Sequence, residues 1–220
     1  MNIAENLAGI KKHIPSYVKL IAVSKTQHPE AIMQVYLTGH KIFGENKVQE
    51  MVNKYEKLPK DIEWHFIGHL QTNKVKYITP FVSLIHSVDS LKLLKEINKE
   101  AKNNNRIVNC LLQIHIAREE TKFGFNFETA ETLLLSEELK QLKSINVSGL
   151  MGMATFTEDT VQIRKEFKSL SEFFNAMKIQ NPELTDLSIG MSSDYLIAIE
   201  EGSNMIRVGS AIFGERNYIK

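Results

Sequence analysis

The chain has 220 residues, is 43% hydrophobic and carries 27 Lys and Arg against 26 Asp and Glu, which leaves a formal net charge of +1. This composition is that of an ordinary globular protein, and the near-zero charge provides no electrostatic basis for binding nucleic acid. Because no apolar run is long enough to cross a bilayer and residues 1–12 lack the apolar core of a signal peptide, we expect a cytoplasmic protein with no membrane partner.

Short apolar runs alternate with longer segments of helical spacing along the whole chain. The predicted strands are 20–23, 41–43, 63–67, 84–88, 108–116, 147–153, 186–190 and 205–213. The predicted helices are 30–38, 48–57, 90–102, 128–140, 160–178 and 194–201, with strong stops at Gly39, residues 103–105 and Gly202. This alternation predicts parallel strands covered by helices.

About eight such strands are the number that closes a β/α barrel, and a doubly wound open sheet is the competing architecture. The runs are mostly apolar and rich in β-branched residues, as expected of strands buried on both faces. No G-x-G-x-x-G follows the first strand, although an open dinucleotide-binding sheet would normally carry it. We therefore predict an α/β fold, a (β/α)8 TIM barrel, with residues 1–220 forming a single domain. The single cysteine, Cys110, is expected in the core of that barrel.

Lys25 closes the first apolar run and is the first candidate for chemistry. In a β/α barrel the active site lies at the carboxyl ends of the strands, which is where Lys25 is expected. Partial burial at that edge favours the neutral amine that attacks a carbonyl. On position alone, a solvated lysine at a strand end is the commoner outcome, so the interpretation depends on other residues.

Residues after the last two predicted strands are suited to holding a phosphate. Gly209 allows the backbone to approach an anion, and Ser210 offers both an N–H group and a hydroxyl. Ser192 follows strand seven and precedes a helix, whose N-terminus favours an anion. Ser192 or Ser193 is well placed as the N-cap of that helix, and the plainer alternative is that Ser193 or Asp194 only caps it.

Arg207 is predicted to face the barrel interior, where an unpaired guanidinium is costly. The ring nitrogen of a ligand would satisfy it, and a buried carboxylate is the alternative partner. Together with Lys25 and the phosphate-type residues, this pattern suggests pyridoxal phosphate held as a Schiff base. An arginine at the pyridine nitrogen would keep that nitrogen unprotonated and make the ring a poorer electron sink.

Seven ordered motifs resemble the pyridoxal phosphate homeostasis protein family (YggS/PROSC type) over nearly the whole chain. They are residues 22–26 (AVSKT), 43–46 with 48–50 (FGEN, VQE), 64–74 (WHFIGHLQTNK), 86–89 (HSVD), 149–151 (GLM), 190–194 (GMSSD) and 202–214. Each motif alone is weak, and their order and spacing make the resemblance specific. Leu196 departs from it, because many members carry a glutamate there.

The resemblance implies a barrel of the alanine racemase N-terminal type (fold type III), with pyridoxal 5′-phosphate as a reversible Schiff base on the lysine. It implies a role in intracellular vitamin B6 homeostasis without substantial turnover, and PLP-dependent apo-enzymes as candidate partners. By residue matching, Ser192, Gly209 and Ser210 would bind the phosphate. Arg207 would approach the ring nitrogen, and Asn46 would line the pocket. The implied cofactor-binding residues are Lys25, Asn46, Ser192, Arg207, Gly209 and Ser210.

Two enzymatic alternatives remain open at this stage. An amino-acid racemase needs a second acid/base group across the cofactor plane. The chain ends at Lys220, so we expect the β-domain of alanine racemases to be absent, and no replacement is evident among Tyr17, Tyr36, Tyr55, Tyr77, Tyr195 and Tyr218. An aldolase would use Lys25 without cofactor, and only Glu45 is at hand as its acid/base partner.

The histidines give weaker signals. His65 and His69 are four residues apart, as zinc ligands on a helix would be, but the first lies in a predicted strand and Gly68 separates them. We therefore predict no metal site there. His86 and His115 also fall in predicted strands, where packing or a pocket-lining position is the expected role.

Overall fold

The structure is a computed structural model that describes residues 2–119 and 123–214. Eight parallel strands close into a barrel in chain order, which confirms the predicted fold class. The strands are β1 (Lys19–Val23), β2 (Ile42–Glu45), β3 (Glu63–Phe66), β4 (Leu84–Val88), β5 (Val108–Ile114), β6 (Ile145–Gly152), β7 (Asp186–Ser188) and β8 (Met205–Val208). The barrel places every strand's carboxyl end on one rim, where β/α barrels carry their functional groups.

Helices cover the outside of the barrel and precede or follow its strands. They are α1 (Ile3–His13), α2 (Pro29–Tyr36), α3 (Val48–Lys57), α4 (Val75–Ile78), α5 (Leu91–Asn103), α6 (Phe127–Leu134), α7 (Glu137–Lys140), α8 (Thr160–Gln180), α9 (Tyr195–Glu200) and α10 (Ser210–Phe213). Several begin at the polar residues that sequence favours there: the side chains of Ser90, Asn126 and Asp159 accept hydrogen bonds from the first turns of α5, α6 and α8. None of the helices in the described parts of the chain is both long and apolar enough to span a membrane.

The core has two layers, as the alternation of side chains along buried strands requires. A large outer layer packs the strands against the helices, and it includes Phe43, Trp64 and Phe167. A small inner layer fills the barrel with Ile21, Leu84, Leu111, Met151 and Met205. Cys110 is fully buried in the outer layer, as predicted, and this burial raises the pKa of its thiol.

Most predicted elements are present, and the differences have local causes. The run 205–213 is not one strand, because β8 ends at Val208 and residues 210–213 form α10. The segment 128–140 is divided into α6 and α7, since Ser136 caps a new helix after Leu135. The short helical segment 72–78 after β3 was not predicted. β7 stops at Ser188 because the chain turns at Gly190, whose positive φ of 96° suits glycine.

Strand pairing decides which side chains share a region of the rim. β1 lies between β2 and β8: Val23 pairs with Gly44, and Ile21 pairs with Arg207. β8 in turn pairs with β7 through Met205 and Ser188. The carboxyl ends of β2, β1, β8 and β7 are therefore four consecutive positions on the rim.

Candidate functional site

The six residues implied as cofactor ligands all lie in these four consecutive strands or in the segments that directly follow them. Lys25 lies in a turn two residues after β1, and Asn46 directly follows β2. Arg207 lies in β8, whereas Gly209 and Ser210 form its exit into α10. Ser192 lies in the turn between β7 and α9. The closed barrel thus brings residues that are up to 185 positions apart (25 to 210) to one side of one rim.

Ser192 and Gly209 are in direct contact: the Gly209 N–H donates to the Ser192 hydroxyl at 3.1 Å. A Cβ atom at Gly209 would lie 3.2 Å from the Val23 carbonyl oxygen of β1, so a side chain there would crowd the neighbouring strand. Ser210, exposed, begins α10, and the first N–H groups of a helix have no partner within it. N–H groups and hydroxyls converging at a glycine suit an oxyanion such as phosphate.

The expected capping of the following helix is wrong in detail. α9 begins at Tyr195, with Asp194 in the N-cap position, but the Asp194 side chain makes no capping hydrogen bond to the helix. The Asp194 carboxylate instead accepts from the Met191 N–H at 2.5 Å, and so closes the turn that contains Ser192. Neither Ser192 nor Ser193 acts as the cap. Leu196, the departure from the family pattern, is half exposed on α9.

Arg207 is almost completely buried in the barrel interior, as predicted, and within the protein its guanidinium donates to a serine hydroxyl and to main-chain carbonyls. Its Nη1 donates to the Ser188 carbonyl at 2.7 Å and to the Ser188 hydroxyl at 2.6 Å, and its Nη2 donates to the Gly152 carbonyl at 2.9 Å. Burial lowers the pKa of Arg207 to about 10, and the negative charge of Asp194 opposes this shift. The guanidinium is therefore charged at neutral pH and held between β6 and β7.

A compact group of charges lies behind Lys25, on the outer side of β2. Its members are Glu45 of β2 with Glu50 and Lys54 of α3, which we call the outer charged cluster. The Lys54 ammonium lies 2.8 Å from Glu45 and 2.6 Å from Glu50, and Lys54 is 5% exposed. Burial raises the pKa of Glu45, although the charge of Lys54 works against the shift.

The outer charged cluster holds the backbone on both sides of Lys25. Lys54 donates to the Ser24 carbonyl at 2.7 Å, and the Ser24 hydroxyl donates to Glu45 at 2.5 Å. The Thr26 N–H donates to Glu50 at 2.5 Å. Thr26 has φ of 66°, a left-handed conformation that is unfavourable for a β-branched residue. These contacts fix the turn that presents Lys25.

Asn46 supplies an unsatisfied acceptor beside this turn. Its side-chain Oδ1 is buried and has no hydrogen-bond partner among the described residues. A Cβ atom on Gly68 would come within 2.2 Å of the Asn46 carbonyl oxygen. Only glycine therefore allows the segment after β3 to pack against the backbone of Asn46. Asn46 also lines a cavity of about 360 Å³ together with His69 and Tyr77. A buried acceptor without a partner is costly, and a bound ligand with a hydrogen to donate would satisfy it.

The two histidines of the apparent zinc spacing point to different partners. His65 Nδ1 lies 3.0 Å from His86 Nε2 inside the barrel. His69 Nδ1 lies 3.1 Å from the Asp89 carboxylate, and its ring stacks on Phe123. In residues 2–119 and 123–214 no three His, Cys, Asp or Glu side chains are grouped as metal ligands would be.

The tyrosines considered for racemase chemistry are dispersed. Tyr36 donates to Asp61 at 2.8 Å on the outer surface, and Tyr55 stacks on Phe81. Tyr77 lies beside the cavity next to Asn46, and Tyr195 begins α9. Tyr218, like Lys220, is outside the described residues.

The ion pairs of Lys54 and Glu50 and the hydrogen bonds of Ser188 are not predicted from the sequence. Glu45 is predicted only as an acid/base candidate, although a carboxylate in a buried strand needs a partner. Lys54 lies four residues after Glu50 on the buried face of α3, and that spacing could have identified the pair. No comparable signal exists for Ser188, whose partners lie in other strands.

The chain matches one family model over residues 1–217, that of the alanine racemase N-terminal domain. It is 40% identical over 230 residues to a pyridoxal phosphate homeostasis protein of Aquifex aeolicus strain VF5, an alignment that covers 99% of this chain and 100% of the relative.

Solved structures of similar proteins agree in fold. PipY of Synechococcus elongatus PCC7942, solved without PLP, superimposes with a TM-score of 0.91 at 36% identity, covering 96% of this chain and 100% of PipY. PipY with PLP bound gives a TM-score of 0.87 at 35% identity with the same coverage. An alanine racemase of Clostridium difficile 630 matches at a TM-score of 0.79 and 16% identity, covering 99% of this chain and 58% of the racemase, which shows a shared fold only.

Proposed function

The chain belongs to the family of pyridoxal phosphate homeostasis proteins, and from that premise we propose that it binds pyridoxal 5′-phosphate at the carboxyl ends of β1, β2, β7 and β8. The observation that carries this proposal is that Lys25, Arg207 and the turn suited to phosphate at Ser192 and Gly209 lie together at four consecutive strands. PipY, at 35% identity, has been solved with PLP bound, which supports the same cofactor here.

The residues present suit this cofactor. The turn at Ser192 and Gly209 offers a hydroxyl and an N–H group, which are hydrogen-bonded to each other. Arg207 provides a buried positive charge, and Asn46 provides a buried acceptor that has no hydrogen-bond partner in the part of the chain that the structure describes. When bound, pyridoxal 5′-phosphate supplies an aldehyde that condenses with a primary amine, releasing one water and forming a reversible Schiff base.

Each residue then has a distinct role. Lys25 provides the amine, in a turn that the outer charged cluster holds on both sides. Ser192, Gly209 and Ser210 bind the phosphate through hydroxyl and N–H groups. Arg207 approaches the ring nitrogen and, being charged itself, keeps a proton off that atom. Because an unprotonated ring withdraws electrons poorly, this arrangement favours holding the cofactor over stabilising a carbanion.

We propose that the protein stores or delivers the cofactor in vitamin B6 homeostasis and does not turn over amino acids appreciably. PLP-dependent apo-enzymes are the partners that this role requires. The same fold also occurs in an alanine racemase, so amino-acid racemisation is the alternative function, and the racemase activity must be measured. The proposed residues include no second acid/base group on the opposite face of the ring, which racemisation needs.

The direct test is the absorbance spectrum of the purified protein with pyridoxal 5′-phosphate, before and after borohydride, followed by mass mapping of the modified peptide. We expect a reducible adduct on Lys25 that Lys25→Ala abolishes. Lys47→Ala and Lys74→Ala serve as matched controls, since both lysines lie near the same rim. An adduct that persists elsewhere in Lys25→Ala would overturn the assignment.

A second measurement tests the phosphate-binding residues. Pyridoxal, which lacks the phosphate, should bind at least about a hundredfold more weakly, because several charge-assisted hydrogen bonds are lost. Equal affinities of the two forms would contradict this placement.

A third measurement separates storage from catalysis. Chiral analysis and deuterium incorporation at Cα should show no turnover of alanine or serine at high protein concentration. Racemisation at about 1 s⁻¹ or faster that disappears in Lys25→Ala would establish the enzymatic alternative.

A further inference from the structure

Four buried polar side chains form a continuous hydrogen-bonded series across the inside of the barrel, which we call the interior chain. It begins at Arg207, whose Nη1 lies 2.6 Å from the Ser188 hydroxyl. Ser188 lies 3.0 Å from His86 Nδ1, and His86 Nε2 lies 3.0 Å from His65 Nδ1. The exposed fraction is 5% or less for every member. The series links β8, β7, β4 and β3, so it crosses the barrel.

The direction of hydrogen donation in the interior chain follows from its first member. A guanidinium can only donate, so Ser188 accepts from Arg207 and has one hydroxyl hydrogen left to donate to His86 Nδ1. A neutral imidazole has one acceptor and one donor nitrogen. His86 therefore carries its hydrogen on Nε2 and donates it to His65 Nδ1. His65 in turn carries its hydrogen on Nε2.

The reverse direction is unfavourable. If His86 donated from Nδ1, Ser188 would receive two donors, and its own hydrogen would have no acceptor among the contacts of the described residues. A buried hydroxyl hydrogen without an acceptor is destabilising, because the group loses its hydrogen bond to water on folding. Both histidines are thus expected as Nε2–H tautomers.

Both histidines are also uncharged near neutral pH. Burial lowers the pKa of His65 to about 3, and the charge of Lys19 adds to the shift. Burial likewise lowers the pKa of His86 well below its ordinary range, with contributions from His65 and Arg207. Arg207 is therefore the only charged member of the interior chain.

We propose that His65 and His86 are positioning residues for the cofactor site: as neutral Nε2–H tautomers they orient the Ser188 hydroxyl as an acceptor and so fix the Arg207 guanidinium. The step from Arg207 to the cofactor ring rests on the proposed function. The tautomers and the direction of donation do not, because they are properties of the cofactor-free protein.

The far end of the interior chain is consistent with this direction. His65 lines a cavity of about 400 Å³ at the opposite rim of the barrel, together with Lys19, Asp186, Asn109 and Asn146. Water can enter such a polar cavity and accept from His65 Nε2–H. The series then has an acceptor at every step, from the guanidinium to solvent.

The first experiment uses the wild-type protein without cofactor. Long-range ¹H–¹⁵N NMR spectra of the histidine rings should show His65 and His86 as neutral Nε2–H tautomers from pH 6 to 8. His40 is a matched reference, because its Nε2 lies 2.9 Å from the Ile42 carbonyl and must therefore carry the hydrogen. A hydrogen on Nδ1 of either interior histidine, or a second hydrogen on its ring in this range, would overturn the proposal.

The second experiment measures the effect on the site. His86→Phe should shift the absorption of bound pyridoxal 5′-phosphate and weaken its binding at least about tenfold, since Arg207 loses a fixed charge-assisted acceptor. His86→Asn keeps an acceptor near the position of Nδ1 and should restore most of the affinity. His40→Phe removes a buried histidine outside the interior chain and should leave the spectrum unchanged.

Ser188→Ala provides an independent route if His86→Phe does not fold. It should give the same spectral shift, and the double variant should be no worse than either single variant, because all three break one series. Wild-type affinity and spectrum in both single variants would refute the positioning role. Failure of the wild-type protein to bind the cofactor would instead refute the proposed function and leave the NMR result to decide the tautomers.

Discussion

Two polar assemblies support the proposed site from opposite sides of the barrel wall, and they solve the problem of buried polarity differently. The outer charged cluster holds two carboxylates and one ammonium, which are joined by ion pairs of 2.8 and 2.6 Å. The interior chain keeps one charge, on Arg207, and passes its hydrogen bonds through neutral groups. Removing one member of the outer charged cluster therefore leaves a buried charge without its partner. In the interior chain, each hydrogen bond instead depends on the position of the side chains and on the tautomers of the two histidines.

The largest expected effect is on the outer charged cluster. Lys54→Met leaves Glu45 buried without its cation and should lower the free energy of unfolding by about 3–5 kcal/mol. The double variant Glu45→Met/Lys54→Met should recover most of this loss, since apolar pairs can replace buried ion pairs. Urea unfolding gives the values, and Lys57→Met, on an exposed position of the same helix, is the control. A loss below about 1 kcal/mol would mean that the cluster is not held by charge.

Substitutions in the interior chain should lower the free energy of unfolding less than Lys54→Met does. Ser188→Ala deprives His86 of a donor and Arg207 of one of its acceptors, while two main-chain carbonyls still hold the guanidinium. We expect a loss of about 2 kcal/mol in the free energy of unfolding, measured in the same urea series. Ser193→Ala, on an exposed turn, should change it little. A loss equal to that of Lys54→Met would remove the distinction between the two assemblies.

The two assemblies should also respond to acid with opposite sign. The pKa of His65 is lowered from 6.5 to about 3, so its contribution to stability is present above pH 6.5 and is lost as pH falls towards 3. The pKa of Glu45 is raised above 4.5, so its contribution grows as pH falls towards 4.5.

Unfolding measured between pH 7 and 5 tests this difference. His65→Phe should flatten the pH dependence, by up to about 1.4 kcal/mol per pH unit below pH 6, because one proton fewer is taken up on unfolding. Glu45→Gln should change the slope in the other direction. Slopes that change in the same direction in both variants would contradict the comparison.

The smallest expected effect concerns the turn that the outer charged cluster holds. Thr26→Gly should raise the free energy of unfolding by about 0.5–1 kcal/mol, because glycine adopts φ of 66° without the steric cost. Asn105→Gly, at φ of 52° and remote from both assemblies, is the matched control. Asparagine tolerates this conformation better than threonine, so its gain should be smaller. A destabilised Thr26→Gly would show that the threonine side chain has another role.

The rim of the barrel was predictable from sequence, whereas the two assemblies beneath it were not. The placement of Lys25 and Gly209 required only a strand count and the rule that strand ends share one rim. The contact between His86 and Ser188 joins residues 102 positions apart in strands that are not neighbours, and no sequence spacing indicates it. The inward direction of both side chains also depends on the strand register, which a single sequence does not fix.

The predicted element boundaries are wrong where apolar content does not distinguish a strand from a helix. The run 205–213 is largely apolar on both sides of Gly209, yet the chain leaves the barrel at that glycine and forms α10. A short apolar run has no periodicity to separate the two states, so the backbone turn decides. This error bears on the site, because that turn carries the N–H groups proposed to hold the phosphate.

The hydrogen bond between Gly209 and Ser192 joins the segments that follow β7 and β8. A turn whose N–H group has an acceptor opens locally less readily than a turn of unsatisfied donors. Because local opening exposes the backbone to proteases, we expect the proposed phosphate site to resist proteolysis before any anion is bound.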